Sequence, residues 1–169
     1  MNEISWGNFE LCILNFLHIV KYSGQIFDNF NINVVFHSAA YKHVSLVEQN
    51  PIQGLNNNFF STQNICSASI KNNVERVVLI SSDKAVRPTN VLGASKRLAE
   101  LVVQAFAEEN KNTSISTNIV CPNGVDTEYR NTFMPGEDKS KLMTVHGFAE
   151  EFCKLFDNEL KNNGKIFKI

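Results

Sequence analysis

The stretch Arg76-Val-Val-Leu-Ile-Ser-Ser-Asp-Lys-Ala-Val-Arg-Pro-Thr-Asn-Val-Leu-Gly-Ala-Ser-Lys-Arg-Leu-Ala-Glu100 decides the fold. It opens on an unbroken Val/Leu/Ile run, passes through a short polar segment containing Pro88, and resumes with helix formers. A strand with one wet face alternates polar and apolar residues; a continuous apolar run suits a parallel sheet covered on both faces. A strand that leads through a tight loop into a helix is half of a strand-helix-strand crossover.

Working outward, the same alternation repeats. Asn33-Val-Val-Phe-His37, Ser114-Ile-Ser-Thr-Asn-Ile-Val-Cys121 and Lys165-Ile-Phe-Lys-Ile169 read as three further buried strands. Helical spacing separates them. Ile52, Leu55, Phe59, Thr62 and Cys66 step by three and four, with Pro51 suited to the first turn. Leu98, Leu101, Val102, Ala105 and Phe106 predict a second apolar stripe, and Val145, Phe148, Ala149, Phe152, Leu155 and Phe156 a third. Asn162-Asn-Gly164 reads as the C-cap of the last helix. In the first 32 residues, Phe9–Leu14 reads as a strand and His18–Phe30 as a helix interrupted or ended near Gly24.

Composition agrees with one soluble domain. The chain has 169 residues, 43% hydrophobic and 20% charged, too apolar for a disordered segment. A formal net charge of −1 gives no basic field for a phosphate backbone, so nucleic acid is not expected as a partner. No apolar run is long enough to cross a bilayer, and the N-terminus lacks the pattern of a signal peptide, which together predict a cytoplasmic location. Cys12, Cys66, Cys121 and Cys153 are widely spaced and read as reduced, mostly buried thiols. Neither they nor His18, His37, His43 and His146 have metal-ligand spacing.

In an open parallel sheet, ligands bind beyond the carboxyl ends of the strands. Those ends carry His37-Ser-Ala-Ala-Tyr-Lys-His43, Ser81-Ser-Asp-Lys-Ala85 and Cys121-Pro-Asn-Gly-Val-Asp-Thr127, small residues beside polar ones, and outline a polar cleft. Asp83 and Lys84, an adjacent acid and amine, suit divided proton transfer but equally suit a solvated turn. Lys96 lies on the first turns of the following helix, on the side that faces the same cleft.

The blocks Val35-Phe-His-Ser-Ala-Ala-Tyr-Lys-His-Val-Ser-Leu-Val-Glu48 and Ser81–Glu100 resemble the CapD-like nucleotide-sugar dehydratases, members of the extended short-chain dehydrogenase/reductase superfamily. The resemblance runs from about Phe30 to Glu109. It implies a Rossmann-type doubly wound parallel sheet, a UDP-sugar substrate, bound NADP or NAD, and loss of water across C5 and C6 of UDP-N-acetylglucosamine after transient oxidation at C4. Carried over by residue, it places Ala39 and Ala40 against the cofactor and Lys42 and His43 toward the sugar nucleotide. Asn58 supports the site, Ser82 bonds a sugar hydroxyl, Asp83 protonates the departing hydroxyl and Lys84 takes the C5 proton. Lys96 holds the nicotinamide ribose.

Three departures shape this expectation. The superfamily's Tyr-x-x-x-Lys is here Leu92-x-x-x-Lys96, which bears harder on an epimerase reading than on a dehydratase one. No Gly-x-x-Gly-x-x-Gly loop occurs. The resemblance therefore implies a partial Rossmann domain over 1–169 that lacks the first strand-helix-strand unit, with a CapD-like core over 30–109. Such a domain would expose the Val34–Phe36 strand as an apolar edge and favour a homo-oligomer. Third, residues 114–169 are more like a short-chain reductase tail, where Thr127 matches a residue touching the nicotinamide amide. A short-chain oxidoreductase acting on a carbonyl, and a non-catalytic sugar-nucleotide-binding remnant, are the rival readings.

Overall fold

The computed structural model describes residues 26–27, 29–38, 40–158 and 162–169. The strand expected over Phe9–Leu14 lies outside them, as do Cys12, His18, Ala39 and most of the helix expected over His18–Phe30. Of that helix the described part is its last turn, where the Phe30 N–H bonds to the Ile26 carbonyl at 3.0 Å.

All four predicted sheet strands form, within two residues of their expected bounds. β1 (Val34–His37), β2 (Arg76–Ile80), β3 (Ser116–Cys121) and β6 (Ile166–Lys168) make one parallel sheet in the order β1-β2-β3-β6, so β1 is an edge strand among the described residues. Two-residue strands β4 (Val125–Asp126) and β5 (Met143–Thr144) pair separately. Period-two geometry sends Val77 and Leu79 to one face of β2 and Val78 to the other, and all three are buried. This is why the run could be apolar throughout.

On the first face lies one helical layer. α1 (Val44–Gln49) leads into α2 (Pro51–Leu55), which passes through a π-turn at Asn56–Phe60 into α3 (Ser61–Lys71). α4 (Val91–Glu109) packs beside α3, and Ile65, Cys66, Ala99 and Val103 close over Val77, Leu79 and Ile119. After the short α5 (Glu128–Phe133), α6 (Val145–Asn158) covers the opposite face, packing Phe152, Leu155 and Phe156 on Val78, Val120 and Phe36. Phe36 stands 5.6 Å from Phe152 and 5.8 Å from Phe156, ring centre to ring centre.

The helices form where expected, but their faces differ. On α4 the inward track is Leu92, Ser95, Ala99, Val103 and Ala107, while Leu98 and Leu101 are 39% and 45% exposed. Small side chains let the helix lie close to the sheet, so the larger apolar residues are left outside. On α2–α3, Ile52 is exposed, and the inward positions are Gly54, Asn57, Asn58, Ser61, Thr62, Ile65, Cys66 and Ser69. That face is largely polar, so apolar periodicity could not find it. On α6, Val145 and Ala149 are exposed. Asn163 and Gly164, expected as a C-cap, instead stitch the last loop into the sheet. Asn163 Oδ1 accepts from the Thr117 N–H at 2.8 Å, its Nδ2 donates to the Ala107 carbonyl at 3.0 Å, and Gly164 takes φ +70°, where a side chain would be strained.

Candidate active site

The carboxyl ends of β1 and β2 and the first turns of α4 meet at a cleft lined by Ala40, Asn58, Thr62, Leu79, Ile80, Ser81, Lys96 and Ala99. Each contributor is held locally. Asn90 caps α4, its side chain accepting from the Gly93 N–H at 2.8 Å, and Glu48 accepts from the Val91 N–H. Gly93 is required by close approach: a Cβ there would lie 2.4 Å from the Lys84 carbonyl oxygen. The loop after β2 is thereby pressed onto α4, which sets Ser82 to Ala85 beside the first helical turns.

Asn58 is buried at the π-turn and joins three elements. Its Oδ1 accepts from the Tyr41 N–H at 2.9 Å, and its Nδ2 donates to Ser95 Oγ at 2.8 Å. Thr62 Oγ1 donates to the Asn58 carbonyl at 2.7 Å and meets His37 Nε2 at 3.0 Å. With the threonine proton committed to Asn58, His37 donates from Nε2. Burial, and secondarily the charge of Lys96, hold this imidazole neutral, its pKa lowered to about 4.

Lys96 forms no hydrogen bond or ion pair among the described residues, although its side chain lines the cleft. Burial pushes its amine below the ordinary lysine range, and the ammonium groups of Lys84 and Lys42 add to this; Glu100 and Cys121 act in the opposite direction. Lys42 itself rests over the Tyr129 ring, 4.3 Å from its centre. Ser82 Oγ is buried and has no hydrogen-bond partner, as is Asn57 Oδ1.

The sequence candidates therefore divide. Ala40, Asn58 and Lys96 come together in the cleft, with Lys42 and Lys84 near enough for their charges to act on Lys96. Asp83 pairs with Lys84 at 3.7 Å, and its side chain is 79% exposed, outside the cleft lining. His43 is exposed at the start of α1. Thr127 caps α5, Oγ1 accepting from the Arg130 N–H at 3.2 Å, which leaves its own proton to donate. Thr62, Ser81, His37 and Glu100 were not singled out from sequence; for Glu100 the available signal was its position one helical turn after Lys96. Leu92 is fully buried. Among the described residues no group of His, Cys, Asp and Glu could hold a metal, and no helix is long and apolar enough to cross a membrane. Cys66 and Cys121 are buried free thiols, and burial pushes Cys66 up to about 12.

The parallel sheet and the cleft at its carboxyl end together define a Rossmann-type α/β domain. Residues 9–123 match the model of the polysaccharide biosynthesis protein family, and the chain belongs to that family. It is 43% identical to the capsular polysaccharide biosynthesis protein CapD of Staphylococcus aureus over 90 residues, 53% of this chain and 15% of that protein. A UDP-glucose 4-epimerase of Rickettsia canadensis is 41% identical over 90 residues, 53% of this chain and 26% of that one. The chain thus spans about a quarter or less of the curated relatives it matches. Among solved structures, MoeE5 in complex with UDP-glucose and NAD superposes with a TM-score of 0.72 at 21% identity, over 89% of this chain and 60% of that one.

Proposed function

We propose that the chain carries the nicotinamide-facing and sugar-facing part of a cytoplasmic nucleotide-sugar dehydratase of the UDP-N-acetylglucosamine 4,6 type, with residues 30–109 as its core and NADP or NAD as its cofactor. The observation that carries this reading is the buried, unpartnered Ser82 hydroxyl, next in the chain to cleft-lining Ser81, beside a cleft whose wall holds the unpaired amine of Lys96. Buried polar atoms without partners are rare in folded proteins, and the Ser82 hydroxyl calls for a hydrogen-bonding ligand. The small side chain of Ala40 in the cleft lining suits a nicotinamide.

When bound, the cofactor supplies the transient oxidation at sugar C4. The chain's own residues do the rest. The Lys96 ammonium donates to the ribose hydroxyls and places positive charge at the cleft floor. Ser82 donates to a sugar hydroxyl. A proton passes from the Lys84 ammonium to the Asp83 carboxylate it pairs with; Asp83 then delivers that proton to the departing C6 oxygen, and the neutral Lys84 amine takes the C5 proton. Lys42 and His43 lie on the side of the nucleotide, and Thr127 offers its remaining proton to the nicotinamide amide. Asn58 holds the β1 loop against α4. Leu92, having no proton to pass at O4, favours elimination over epimerisation.

Titration of the chain with UDP-N-acetylglucosamine and with NAD, each followed by ligand-observed NMR, tests the reading. We expect saturation transfer to both, and about tenfold weaker sugar-nucleotide binding in Ser82→Ala. With both ligands present, the 4-keto sugar is the expected product. Binding of neither ligand would sink the proposal.

A further inference from the structure

Glu100 is an acid at 3% exposure that the mechanism above does not use. It sits one helical turn beyond Lys96 on α4. Its Oε1 accepts from Ser81 Oγ at 2.5 Å, and its Oε2 from Arg97 at 2.7 Å. Ser81 and Lys96 both line the cleft, so this carboxylate is fastened behind the cleft wall rather than within it. A buried carboxylate is costly unless paired and hydrogen-bonded, and Arg97, which is 41% exposed, supplies only one of its partners.

The surroundings of Lys96 give that cost a purpose. His37 faces it from β1, Lys42 from the loop after β1, Lys84 from the loop after β2, Cys121 from the end of β3, and Glu100 from α4 itself. His37 is neutral, and Lys42 and Lys84 both repel the ammonium. Of the groups that favour the charged amine, Glu100 comes first and the Cys121 thiol second. We propose that Glu100 is a positioning residue, whose buried carboxylate, tethered to Ser81 and Arg97, keeps Lys96 a cation at the cleft floor. It touches neither substrate nor cofactor and acts only through Lys96; its significance for turnover rests on the function proposed above.

Competitive labelling of the full chain with acetic anhydride across pH, read by peptide mass spectrometry, gives the ionisation midpoint of Lys96 without any ligand. In Glu100→Gln, with its fold checked by circular dichroism, the midpoint should fall by about one pH unit, and Glu100→Asp should restore most of it. Arg97→Met, at a part-exposed site that leaves the core intact, frees the carboxylate to act on Lys96 and should raise the midpoint. An unchanged midpoint in either folded Glu100→Gln or Arg97→Met overturns the proposal. Protection of Lys96 from acetylation by NAD is read in the same experiment on the wild type; its absence counts against the functional reading and leaves the Glu100–Lys96 link to be judged by the midpoints.

Discussion

Acid should weaken this fold through His37, and the size of the effect follows from its surroundings. The imidazole is buried at the end of β1, donating to Thr62 Oγ1, with its pKa lowered from 6.5 to about 4 by burial and by the charge of Lys96. The unfolded chain takes up this proton below about 6.5, whereas the folded chain resists until about 4. Stability from His37 is therefore complete above the unfolded value, drains as pH falls through the window from 6.5 to 4, and is gone below it. The full loss is about 3 kcal/mol, of which about 2 kcal/mol is spent between pH 7 and pH 5. His37→Gln keeps a donor for Thr62 without a group that titrates, so the same interval should cost the variant about 2 kcal/mol less than the wild type. Urea denaturation at pH 7, 6 and 5 reads this as a separation of the two midpoints by on the order of 1 M, closing toward low pH. A wild-type-minus-variant difference that stays constant across the interval would refute the reasoning, because it would mean that the imidazole is already solvated in the folded state.

Other substitutions probe the walls of the cleft. Gly93→Ala should lose about 2 kcal/mol by chemical denaturation despite the better helix former, since its Cβ meets the Lys84 carbonyl; an equal or higher midpoint would show that the loop after β2 yields freely. Asn58→Ala strands the Tyr41 N–H and removes the donor to Ser95 Oγ, and a loss of about 3 kcal/mol is expected from thermal or urea melting, against under 1 kcal/mol if the network is dispensable. Leu92→Tyr should destabilise by about 2 kcal/mol through overpacking, because the position is sealed; a neutral result would reveal a path from it into the cleft.

Sheet and helix order were legible because they rest on one signal, the runs at Val34–Phe36, Val77–Ile80 and Ile119–Val120 set between longer periodic segments. Helix faces were not. Leu98 and Leu101 look like core residues in any apolar count, yet Ala99 and Val103 are the ones pressed to the sheet, since close approach selects small side chains and leaves large ones outside. The cleft divided in the same way. Ala40, Asn58 and Lys96 were found by resemblance to a motif, whereas His37, Thr62 and Ser81 are polar residues turned inward that only their hydrogen bonds give away, and Glu100 had no signal beyond its spacing from Lys96. Thr127 shows the converse: its hydroxyl is already engaged in starting a helix, a use that one-dimensional spacing could have predicted from the Glu that follows it.

The π-turn at Asn56–Phe60 ties these observations together. The Ser61 N–H reaches back five residues to the Asn56 carbonyl, and the hydroxyls of Ser61 and Thr62 donate to the carbonyls of Asn57 and Asn58. Widening the helix by one residue at this point turns Asn57 and Asn58 inward together and provides hydroxyls to satisfy the loosened backbone. From there one chain of hydrogen bonds runs from His37 on β1 through Thr62 to the Asn58 carbonyl, while the Asn58 side chain takes the Tyr41 N–H and reaches Ser95, which donates to the Leu92 carbonyl on α4. The elements that flank the cleft are thus joined behind it by groups that spend their bonding capacity on one another. The Lys96 amine, in the cleft lining, and the buried Ser82 hydroxyl keep theirs uncommitted.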